Sequence, residues 1–346
     1  MTFLSELRRL GARVLAPAAL AAALLAACGG GTEQVAAFKP NRLLVLGDES
    51  SMIEDFIDAE GKHDGFKYGI NDRSATTTGK CLALPNFAQS VAALYGFAFE
   101  QCNPTSLTPH AFILARRHSK ADDASNGLAQ QVAAISNLGK TDLVMVMIGS
   151  HDLIELYERT QASLRAGRPA LTNAEALAEA GRRGSAAAEL INRMLATGAR
   201  GLVITVPDLG LSPYAANANL ADPAASGVLG SLSAEYNAIL RTSVDATRFD
   251  GRNYGLVLAD DIVAAMHKLP ASFLVAPAVP NVAACGTAAG QSADAVATAL
   301  LGCTTTNLVA GANSGSHLWA SDRHLGPSAH SRIGSQAQSR AATNPF

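Results

Sequence analysis

The stretch "RLLVLGDESSMIEDF", Arg42–Phe56, opens on apolar residues and breaks at Gly47 into an acidic, hydroxyl-rich turn. Its first part, Arg42–Leu46, is short, apolar and bounded by polar residues, the pattern of a buried strand. The pattern recurs along the chain. "DLVMVMIG", Asp142–Gly149, is a continuous apolar run, as expected for a strand covered on both faces. "GLVITVP", Gly201–Pro207, is stopped by its proline, and "YGLVLAD", Tyr254–Asp260, follows.

Helical signals lie between these runs. Pro85–Tyr95 has Pro at its first turn and Gly96 just past its end, with Phe87, Val91 and Leu94 on one face. Leu128, Val132, Ile135 and Leu138 repeat at helical spacing and stop at Gly139. Thr172 and Glu175 have the spacing of a capping box for a long helix lined by Leu177, Ile191 and Leu195. Gly181 and Gly184 weaken the middle of that helix. Ser233 is placed to cap a helix carrying Tyr236, Ile239 and Leu240, and Pro327 opens a last one with Ala329, Ile333 and Gly334 inward. Strand–helix alternation of this kind predicts an α/β three-layer sandwich, a central mainly parallel sheet flanked by helices. Such sheets carry their sites at the carboxyl ends of the strands. Three polar clusters qualify by position: Asp48–Ser51, Gly149–Asp152 and Ser321–His324.

At the N-terminus, Arg8, Arg9 and Arg13 flank the short apolar run "VLAPAALAAALLAA". It ends in Leu25-Ala26-Ala27-Cys28, which resembles a bacterial lipobox. That resemblance implies a signal peptide over residues 1–27, lipidation of Cys28, and a flexible tether over 28–40. Residues 41–346 then form one domain. Gly29 after the cysteine implies an outer-membrane anchor, with the protein facing the periplasm or the cell surface. The formal net charge is −2 and there is no basic run, which argues against nucleic acid as a partner. Four further cysteines, Cys81, Cys102, Cys285 and Cys303, suit disulfides in an oxidising compartment. Of three possible connectivities we expect the local pairs, Cys81–Cys102 and Cys285–Cys303.

Taken in order, "LGDESS", "VMIGSHDLIELY" and "LWASDRHLGPSAHSRIG" resemble the motif series of the SGNH/GDSL hydrolase superfamily. "VPDLGLSP" at 206–213 and "NVAACG" at 281–286 agree with it. The resemblance implies a flavodoxin-like sheet and hydrolysis of a small acyl-ester or lipid-like substrate without a cofactor. Such chemistry needs a nucleophilic hydroxyl, a base in reach, and donors aimed at the developing oxyanion. On this chain His324 falls at the base position. The acid position holds Ser321, so Asp322, one residue on, is the orienter at hand. Gly149 and His151 stand where the oxyanion donors belong, and Asp152 reads equally as a helix N-cap. In the second block only Gly127 is available. The nucleophile position is occupied by Glu49, leaving Ser50 or Ser51 to act if the turn shifts. Glu49 can instead pair with protonated His324 and spoil it as a base. His317 and His330 compete locally, but the spacing 317, 324, 330 matches no compact ligand set, and no metal is expected. Two readings follow: a lipid-anchored serine esterase, or a catalytically silent envelope lipoprotein binding a lipid, glycan or protein partner.

Overall fold

The structure is a computed structural model that describes residues 38–74, 79–164, 166–245, 253–286 and 291–343. The expected signal peptide, the lipidation site Cys28 and most of the tether lie outside the described residues. Among the described residues the central sheet has five strands: β1 (Arg42–Gly47), β2 (Ala111–Ile113), β3 (Asp142–Met147), β4 (Arg200–Ile204) and β5 (Tyr254–Val257). They lie in the order β2-β1-β3-β4-β5 and every pair is parallel. The strand order therefore reverses between β1 and β3, where doubly wound sheets open a crevice at their carboxyl ends.

Alternation along the strands builds the two outer layers. Leu44, Leu46, Val144 and Val146 point to one face. There they meet α3 (Ser150–Thr160), α4 (Asn173–Ala196) and α5 (Ala225–Ser243) through Leu153, Tyr157, Ile191, Leu195, Tyr236 and Leu240. Leu43, Val45, Leu143 and Met145 point to the other. They pack on α1 (Phe87–Leu94), α6 (Ala259–Lys268) and α7 (Pro327–Thr343) through Phe87, Val91, Val263, Ile333 and Ala337. The expected three-layer sandwich is thus present. Each interface removes a run of Leu, Ile, Val and Phe side chains from water, each contributing about 1.5–3 kcal/mol by transfer.

Several helix expectations change in detail. Asn86, not Pro85, starts α1: its side chain accepts from Gln89 N while the Gln89 side chain accepts from Asn86 N. Leu94 at the end of that helix is exposed. Thr172 and Glu175 do form a reciprocal capping box on α4, but Leu177 faces solvent while Ile191 and Leu195 enter the core. Gly184 fits the helix interior because a Cβ there would come 2.6 Å from the Tyr236 carbonyl oxygen on α5. Ser233 lies within α5 rather than at its start: its hydroxyl donates to Leu229 O at 2.9 Å and accepts from Leu209 N at 3.1 Å. The helical run at Leu128 closes as α2 (Leu128–Ala133), with Ile135 and Leu138 packing on the core from the turn that follows.

Both expected disulfides are formed, Cys81–Cys102 and Cys285–Cys303. The second staples the excursion that carries the helix Ala293–Leu301. Tyr68, Ile70, Ala284, Val296, Leu300 and Ala320 form a small third core between that excursion and the segment around Tyr68, beside Ser321–His324. Among the described residues no helix is long and apolar enough to cross a membrane.

Candidate functional site

Where β1 ends, Gly47 turns the chain with φ 135°, and a Cβ there would lie 2.0 Å from the Met147 carbonyl oxygen of β3. Only glycine permits that approach. The Gln131 side chain clasps the turn, its Oε1 accepting from Gly47 N and its Nε2 donating to Gly47 O, both at 2.8 Å. Asp48 then caps a single tight helical turn over Glu49–Ser51, accepting from Ser50 N at 2.9 Å. This turn decides which side chain faces the crevice, and it is Glu49.

Glu49 is fully buried. Its Oε1 lies 2.7 Å from His151 Nε2 and 2.9 Å from His324 Nε2, and its Oε2 accepts from the His118 backbone N–H at 2.8 Å. A carboxylate can only accept, so both imidazoles carry their proton on Nε2 in this arrangement. Ser321 agrees with that assignment for His324. Its hydroxyl oxygen accepts from His324 N and Arg323 N at 3.0 and 3.2 Å, which frees its proton for His324 Nδ1 at 2.8 Å. Burial by itself would push Glu49 up, but the charge and hydrogen bond of His151, with those of His324, hold it well below the usual carboxylate range. Burial pulls His151 down, and Glu49 outweighs it and leaves His151 raised. Asp48, next in line, is pushed up by burial and by the neighbouring Glu49 charge.

The candidate residues separate into those that converge on Glu49 and those that do not. His324 and His151 converge. Gly149, with φ 131°, caps α3 and lets the first turn approach Tyr236, whose ring a Cβ would meet at 2.7 Å. The His151 Nε2–H that would serve an oxyanion is taken by Glu49. Asp322 does not orient His324. It holds Arg323 through two bonds, Nε–Oδ1 at 2.9 Å and Nη2–Oδ2 at 2.8 Å, and Arg323 in turn lies over the Tyr214 ring. The residue that orients His324 is Ser321, because the tight turn from Ser321 to His324 folds its hydroxyl back onto the ring. Neither the Ser50 nor the Ser51 hydroxyl hydrogen-bonds to His324. Ser51 Oγ is buried without a partner. Ser50 lines a separate small recess with Lys67, Tyr68 and His330.

Asp152 is not the N-cap of α3, a place taken by Gly149, and its carboxylate bonds away from Glu49. It is buried and accepts from Ala121 N and from Arg183 Nη1 at 2.8 and 3.1 Å; burial pushes it to about 6 against the pull of Arg183. Gly127 caps α2 and gives its N–H to Gln130. His317 bonds Ser316, and His330 stacks on Phe87 with ring centroids 5.4 Å apart, so the three C-terminal histidines do not form one cluster.

His118 is the residue that sequence reasoning missed. Its ring meets His151 edge-on at 5.1 Å, its Nδ1 lies 3.8 Å from Glu49 Oε1, and its Nε2 lies 2.8 Å from Asp294 Oδ1. It sits in the loop after β2, stitched to β1 by Leu114 N and Ala115 N on Val45 O and by Arg116 N on Gly47 O. The signal for it was positional, a histidine just past the carboxyl end of a sheet strand. That strand is three residues long with Phe112 exposed, and its apolar run, Ala111–Ala115, is too short to stand out beside the longer strand signals.

No protein-family model matches the chain, and none of the curated proteins matches it in sequence. Among solved structures the chain is similar to a mutant of an acetyl-xylooligosaccharide esterase from Geobacillus Stearmophilus, at 15% identity and a TM-score of 0.36, covering 77% of this chain and 93% of that one.

Proposed function

We propose that this chain is a binding protein on a hydrolase-like α/β frame, silent as a serine esterase. The observation that carries the reading is the Glu49 carboxylate standing between His151 and His324, with both imidazole Nε2–H groups directed at it. A base must present an unprotonated nitrogen to a hydroxyl. Here the nitrogen is engaged by a carboxylate, and the charge of that same carboxylate opposes any oxyanion. The ligand site of this reading is a recess of about 290 Å³ on the Asp322 side, lined by Tyr157, Glu158, Gln161, Tyr214 and Asn217. Two aromatic rings among amides and carboxylates suit a hydroxyl-rich ligand such as a glycan. In the same reading Cys28 carries a lipid that tethers the domain to the outer membrane; the Leu25–Cys28 motif supports it.

The test uses one purified preparation. A fluorophosphonate probe leaves Ser50 and Ser51 unlabelled by peptide mass spectrometry, short-chain nitrophenyl esters are not turned over, and a soluble glycan panel yields a ligand that Tyr214→Ala loses. An adduct at Ser50 or Ser51 that disappears in His324→Ala overturns the proposal. So does a panel in which no glycan binds.

A further inference from the structure

We propose that Glu49, His118 and His151 bind a divalent transition cation of the zinc type. One donor atom from each residue lies within 4.8 Å of the other two. The three follow the carboxyl ends of β1, β2 and β3, the strands on either side of the reversal in strand order, with His151 in the first turn of α3. A tetrahedral zinc ion with bonds of about 2.0–2.2 Å separates its ligand atoms by roughly 3.3 Å. Glu49 Oε1 stands 2.7 Å from His151 Nε2 and 3.8 Å from His118 Nδ1, values that bracket that spacing. Movements of about half an ångström seat the ion, and the His151 ring then carries its proton on Nδ1 so that the Nε2 lone pair faces the metal.

Two further observations point to a cation rather than to a hydrogen-bond network alone. His118 Nδ1 is buried with no hydrogen-bond partner, and the opposite nitrogen of the same ring is held by the Asp294 carboxylate at 2.8 Å. A carboxylate behind an imidazole is the arrangement that fixes the tautomer and direction of a metal-binding histidine. Here it fixes Nδ1 as the free donor. Beside Glu49, the buried Oδ2 of Asp48 also lacks a partner, so a second carboxylate next to the cluster has an oxygen left unpaired. One carboxylate and two imidazoles form a three-ligand set that leaves a fourth position for water or a ligand atom. His324 Nε2, 2.9 Å from Glu49 Oε1, is a further nitrogen at the same oxygen.

The inference shares Glu49 with the functional reading above but does not depend on it, since metal binding and serine labelling are read separately. The protein, stripped with a chelator, is titrated with Zn²⁺ by calorimetry. One Zn²⁺ per chain is expected, weakened at least tenfold in Glu49→Gln and in His118→Ala. Asp294→Asn, at an exposed side chain that leaves folding intact, weakens it by about tenfold. Co²⁺ in place of Zn²⁺ gives visible bands of a tetrahedral nitrogen–oxygen site, absent in His118→Ala. No binding by the full protein, or binding unchanged in both Glu49→Gln and His118→Ala, overturns the proposal.

Discussion

At the scale of single residues, burial decides what each titratable group does. His330 is buried with its ring stacked on Phe87 and its Nδ1 unpartnered. Burial, with smaller contributions from His324 and Lys67, pushes it down to about 3. The native protein keeps this ring neutral, whereas the unfolded chain protonates it below about 6.5. Stability is therefore lost as pH falls from about 6.5 towards 3, by roughly 2–3 kcal/mol at pH 4.5. Urea denaturation at pH 7.5 and 4.5 checks this, and His330→Leu removes that part of the acid loss. Glu49 behaves in the opposite sense, for two imidazoles outweigh its burial. The departure at Glu49 was legible in the chain, as was its pairing with His324. His118 was not, because nothing local distinguishes a histidine in a polar loop from one that a neighbouring strand carries to a carboxylate.

At the scale of elements, the turn after β1 shows how a local conformation selects a function. Gly47 at φ 135° and the Asp48 cap aim Glu49 into the crevice and leave Ser51 facing the Gly47 turn. Gly47→Ala adds a Cβ in a left-handed region and against the Met147 carbonyl, which costs about 2 kcal/mol or more. Chemical denaturation measures that loss, and the ring resonances of His151 and His324 in NMR report the displaced carboxylate. Strong helix signals such as Thr172 with Glu175 were readable because both partners lie within one turn. Ser233 misled because its hydroxyl answers a distant donor, Leu209 N, instead of its own helix terminus. Asp322 misled for a similar reason: its own neighbour Arg323 takes both of its oxygens.

At the scale of the whole molecule, the segment around Tyr68 and the one carrying the helix Ala293–Leu301 meet in a small core beside the site; the Cys285–Cys303 bridge closes the second, and Cys81–Cys102 closes the loop that follows the first. The loops span 21 and 18 residues, so each bridge stabilises by about 3 kcal/mol in the chain-entropy view. Cys285→Ser with Cys303→Ser is expected to lower the denaturation free energy by about that amount. It also loosens Asp294 from His118, visible as faster exchange of the His118 amide. The alternation of apolar runs and helical periods determined the layered α/β sheet, because burial on two faces imposes a pattern that one segment displays alone. The disulfide partners were legible too, as short loops favour the local pairs. What the tertiary structure alone decided is the chemistry of the crevice. The choice of Glu49 over Ser50 and Ser51, of Ser321 over Asp322, and the arrival of His118 depend on backbone turns. They depend also on strands brought side by side from distant parts of the chain, and such directions and distances are set by packing, not by any one stretch of residues.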